Sequence, residues 1–120
     1  MMGRLTTHVL DTSRGVPAAG LEILLQVQGG SGGQFIDMAK VVTNSDGRVD
    51  RPLLEGEMMK AGRYRLIFSA GAYFKAEGVA LPAYPFLDDV VIDFGISDPD
   101  QHYHVPLLLS PYGYSTYRGS

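Results

Sequence analysis

The chain has 120 residues and a mass of 13.0 kDa, enough for one domain with its own core. A net charge of −3 and a pI near 5.5 remove any electrostatic case for binding nucleic acid or an anionic membrane. There are no cysteines, which excludes disulfides, thiolate nucleophiles and cysteine-built zinc sites.

The first stretch, MMGRLTTHVLD, lacks the apolar core of a signal peptide, and no apolar run approaches bilayer length. The expectation is a soluble, cytoplasmic chain. LTTHVLD reads as a strand with Leu5 and Val9 on one face and Thr6, His8 and Leu10 on the other. After the turn signal RGVPAAG, LEILLQVQ alternates: Leu21, Ile23, Leu25 and Val27 share a face, with Glu22, Gln26 and Gln28 opposite. QGGSGGQF has the glycines of a phosphate loop but not its Lys-Ser/Thr or its strand–helix context, so it reads as a hairpin connection. NSDGRVD is a turn, in which Arg48 would ordinarily be a solvated residue.

YRLIFS places Tyr64, Leu66 and Phe68 together, and DVVIDF does the same with Val90, Ile92 and Phe94. Between them, GAYFKAEGV breaks the two-residue period and predicts a short helix of about two turns ending near Gly78. In HYHVPLLLS, Tyr103, Val105, Leu107 and Leu109 form the natural core face, opposite His102, His104, Pro106 and Leu108. The tail SPYGYSTYRGS, rich in hydroxyls and aromatics, reads as a strand end that something holds down. Short strands with turns between them predict an all-β sandwich, one domain over residues 1–120.

Two outer faces are too apolar for open water: the one with His8 and Leu10, and the one with His104, Pro106 and Leu108. An antiparallel sheet should show one wet face, so a second subunit is expected to cover them. The three histidines are the scarcest reactive groups. They fit structural roles, a three-histidine zinc site or metal-free acid–base chemistry, and their spacing does not choose among these. Asp11, Asp46, Asp50, Asp88 and Asp89 read as caps and turn formers.

LTTHVLDTSRGVPA, TNSDGRV, YFKAEG and HYHVPLLLSPYGYSTYRGS together resemble the transthyretin-related 5-hydroxyisourate hydrolases, from about residue 5 to the last residue. The closing Tyr117-Arg118-Gly119-Ser120 is the most specific part of the match. The resemblance implies a sandwich of two four-stranded sheets with one short helix, assembled as a homotetramer, a dimer of dimers meeting across a central channel. It implies hydrolysis of 5-hydroxyisourate without a cofactor or metal, by His8, Arg48, His104 and Tyr117. Ser115 joins His8, Arg48 and Tyr117 in binding substrate, and His102 has no assigned part. The alternative within the same fold is a transthyretin-like carrier of small aromatic ligands, which has lysine, glutamate and threonine where this chain has His8, Arg48 and His104.

Overall fold

The alternating stretches become strands because each can bury one side and wet the other. The computed structural model describes residues 2–30 and 32–119. In chain order the strands are β1 (Arg4–Asp11), β2 (Val16–Pro17), β3 (Glu22–Gln28), β4 (Phe35–Val42), β5 (Leu54–Glu55), β6 (Gly62–Phe68), β7 (Val90–Ile96), β8 (Tyr103–Ser110) and β9 (Gly113–Thr116). A helix, α1 (Ala70–Ala76), follows β6.

Two sheets form. One runs β4-β3-β6-β7 and is antiparallel throughout. The other runs β2-β1-β8-β9, with β5 also pairing to β1. It therefore has five strands where four were expected, because β2 and β5, of two residues each, share one edge of β1. The pairing of β1 with β8 is parallel and joins residues nearly a chain length apart.

The core lies between the sheets. Leu5, Val9, Ile23, Leu66, Leu107 and Leu109 are fully buried, each contributing about 2 kcal/mol of apolar burial. The faces expected to point inward do so: Leu21, Ile23 and Leu25; Tyr64, Leu66 and Phe68; Tyr103, Val105, Leu107 and Leu109. Val90 and Ile92 of β7 are buried too, and Val27 and Phe94 continue the β3 and β7 faces with partial burial.

The helix ends as its sequence predicts. Gly78 takes φ 80°, and the N–H groups of Gly78 and Val79 donate to Lys75 and Phe74 carbonyls, closing a Schellman motif. QGGSGGQF connects β3 to β4 as a hairpin; its Ser31 lies outside the described residues, as does the terminal Ser120. No helix among the described residues is long and apolar enough to cross a membrane.

Candidate functional site

The outer face of the five-stranded sheet is laid out in rows by strand register. Thr6 pairs with His104, and His104 forms a bridge to Gly119. One row along, Arg48 forms a bridge to His8, and His8 pairs with Pro106. Leu107 pairs with Thr116 and His104 with Gly119, three residues on along both strands, so Tyr117 falls opposite Pro106. The next row is Leu10, Leu108 and Ser115. Residues paired across a sheet share a face. The register thus brings His8, Arg48, His104 and Tyr117 into two adjacent rows on one side of the sheet, with Ser115 in a third.

Arg48 reaches this face because of the turn before it. The Asn44 side-chain carbonyl accepts the N–H groups of Asp46 and Arg48, and Gly47 takes φ 73°. The Gly47 carbonyl then accepts the Val9 N–H at 2.8 Å, docking the turn against β1. A Cβ at Gly47 would stand 2.4 Å from the Val9 carbonyl oxygen, so only glycine fits this approach.

His8 and His104 are half-buried, and Pro106 between them is buried. The His104 Nδ1 lies 2.8 Å from the Thr6 hydroxyl. Burial, then the positive charge of Arg48 and of His8, holds the His104 imidazole below its ordinary pKa of 6.5. A histidine so placed is neutral at pH 7 and free to accept a proton. Thr6, His104 and Arg48 line an open depression of about 420 Å³, together with Arg4 and His102. Its two guanidinium groups suit an electron-rich ligand, and the neutral His104 imidazole suits proton transfer.

Tyr117 is 60% exposed and lies apart from that depression. It borders a second cavity of about 240 Å³ against β7, with Phe94, Tyr103 and Val105. The tail is held chiefly by Arg118, whose guanidinium stacks 4.0 Å above the Tyr103 ring and donates to Gln101 and to the His102 carbonyl. Among the described residues no three His, Asp or Glu side chains are placed to share a metal ion.

Two features had no signal in the sequence. The contact of Thr6 with His104 joins residues 98 apart, which no local pattern reports. Asp11 is more than a turn former. It is fully buried and accepts hydrogen bonds from Ser13, from Arg14 at 3.0 Å and from the Tyr73 hydroxyl at 2.9 Å, while Arg14 also pairs with Glu77. This network ties the end of β1 to α1.

Residues 5–119 match the model of the HIUase/Transthyretin family. Over 118 residues the chain is 60% identical to "5-hydroxyisourate hydrolase 2" of Rhizobium meliloti, covering 98% of this chain and 97% of the relative. Among solved structures, the 5-hydroxyisourate hydrolase of Klebsiella pneumoniae superposes with a TM-score of 0.80 at 37% identity, covering 99% of this chain and all of that one. An (S)-allantoin synthase superposes with a TM-score of 0.93 at 44% identity; this chain spans 99% of itself but only 44% of that chain.

Proposed function

The chain belongs to the HIUase/Transthyretin family, and from that premise we propose that it hydrolyses 5-hydroxyisourate to 2-oxo-4-hydroxy-4-carboxy-5-ureidoimidazoline. The observation that carries this reading is the placing of Arg48 and His8 in one row beside His104 in the next. Three groups scattered over the chain, each of a type this hydrolysis needs, meet on one face.

Ring opening requires water to add to a carbonyl carbon, the C–N bond to break and the leaving nitrogen to gain a proton. His104, neutral because burial and Arg48 disfavour its cation, takes the proton from water as its oxygen attacks. The Arg48 guanidinium binds the oxygen-rich heterocycle and stabilises the negative charge that develops on the carbonyl oxygen. His8, adjacent to Arg48, supplies the proton that lets the ring nitrogen depart. Tyr117 and Ser115 orient substrate from the tail side. No step calls for a metal.

The reading includes a homotetramer, a dimer of dimers in which the outer face of the five-stranded sheet lines a channel between dimers. Its support is the half-apolar character of that face, where Leu10, Pro106 and Leu108 lie among the histidines. In that setting Tyr117 acts as a channel wall. A cytoplasmic location belongs to the same proposal, and fractionation of cells making the full chain checks it.

The experiment is to add freshly generated 5-hydroxyisourate and follow its ultraviolet decay with and without the protein. Decay far faster than the spontaneous rate is expected, unchanged by EDTA. A protein that binds small aromatic ligands but leaves the decay untouched would be a carrier instead.

A further inference from the structure

The His104 ring is held at both of its edges. On one side, Nδ1 lies 2.8 Å from the Thr6 hydroxyl oxygen. On the other, Gly119 packs so closely that a Cβ there would stand 2.7 Å from His104 Cδ2, while its N–H donates to the His104 carbonyl at 2.7 Å. With Nδ1 engaged and the Cδ2 edge backed by chain, the Cε1–Nε2 end is what the ring has left for a ligand.

We propose that Thr6 and Gly119 are positioning residues for His104: the Thr6 hydroxyl accepts the Nδ1–H, so that Nε2 carries the lone pair offered to water, and Gly119 fixes the ring plane. The inference rests on the reading of His104 as the group that takes water's proton. One observation chooses this tautomer over its opposite, and a second favours the neutral ring over its cation. First, the depression that His104 lines also holds Arg4 and Arg48, whose positive charges favour a lone pair over an N–H on the open side. Second, burial and the neighbouring Arg48 favour the neutral ring, and among the described residues the other titratable groups near it are His8 and Arg4 from β1 and His102 from the segment before β8. Among the described residues no carboxylate lines the depression to draw out a second ring proton. In a neutral imidazole one nitrogen donates and the other accepts, so fixing Nδ1–H fixes Nε2 as the base.

The role for Gly119 follows from space. Any side chain there pushes on the ring or on the tail that carries Tyr117, and a tilt of the imidazole misplaces Nε2.

The test compares Thr6→Val, which keeps the shape and removes the hydroxyl, with Thr6→Ser, which keeps the hydroxyl. Thr6→Val is expected to lower kcat about tenfold or more with KM changed less than about threefold, as loss of one orienting hydrogen bond does. Thr6→Ser should stay within about threefold of the parent. Nitrogen-15 spectra of the His104 ring give a readout independent of turnover: the parent and Thr6→Ser should show a single tautomer protonated at Nδ1, and Thr6→Val a mixture. Gly119→Ala should lower kcat with that tautomer kept. A parent spectrum with the proton on Nε2 overturns the assignment. So does a Thr6→Val protein with full kcat and an unchanged spectrum, provided His104→Ala is inactive. If His104→Ala is itself fully active, what fails is the underlying reading of the site.

Discussion

At the scale of single residues, two ionisable groups held below their ordinary values govern what acid does to activity and to stability. His104 is held below 6.5 first by burial and then by Arg48 and His8. Its neutral form therefore persists as the pH falls past 6.5, and the acid limb of kcat/KM should lie below that value. Arg48→Gln removes one depressing charge, so the limb should move up towards 6.5 as overall activity falls; a pH–rate profile of both proteins checks this. Asp11 concerns stability. Burial pushes its carboxyl up, but hydrogen bonds from Ser13, Tyr73 and Arg14 outweigh burial and leave it below 3.8. A carboxylate depressed by folding stabilises the protein above its unfolded value and ceases to do so as the pH falls through the folded one. The contribution of Asp11 should thus be intact at neutral pH and disappear only below about 3.8. Asp11→Asn should cost roughly 1–3 kcal/mol in urea unfolding at pH 7, because it leaves buried donors poorly matched. An Asn variant as stable as the parent would show that the network contributes little.

At the scale of elements, the site depends on a turn and a tail. Gly47→Ala meets both a left-handed φ of 73° and the Val9 carbonyl, so it should destabilise the fold by about 1–2 kcal/mol and displace Arg48 from the row. Thermal unfolding and the substrate-decay assay on this one variant separate the two effects. The tail offers the complementary case. Deleting residues 117–120 removes the Arg118 stack on Tyr103 and the Gly119 bridge but keeps β9 paired with β8. The shortened protein should keep its β-sheet circular dichroism and lose most of its activity. Full activity in that protein would remove Tyr117 and Gly119 from the site.

These elements also mark what could be read without a structure. Period-two alternation was enough for β3, β6, β7 and β8, because burial of one face leaves that imprint on composition. The helix end was legible because Gly78 must take a left-handed conformation there. Three other features left no imprint. The parallel pairing of β1 with β8 sets which histidines meet, and it is a long-range contact. Strand β4 has no fully buried residue along its length, so it lacks a clean apolar face. Strands β2 and β5 are two residues long and exist only because β1 has an open edge. The site residues were recognisable by type and by family resemblance; their grouping comes from register.

At the scale of the whole molecule, the outer face of the five-stranded sheet remains half-open in a single chain, with His8, Leu10, His104 and Leu108 all partly exposed. Light scattering should find a tetramer, and a charge placed on the face by Leu108→Glu should break it into smaller species with a fall in activity. A fully active monomer would remove the channel from the account. The central claim, however, is that hydrolysis occurs on the face where the rows of His8 and His104 adjoin, and His102 provides an internal control. It lies two residues from His104 and lines the same depression, yet has no part in the proposed proton transfers. The most direct measurement is the turnover of 5-hydroxyisourate by His104→Ala and His102→Ala proteins side by side. The account predicts a loss of roughly a hundredfold or more for His104→Ala and little change for His102→Ala. Equal losses in the two, or none in His104→Ala, would contradict it.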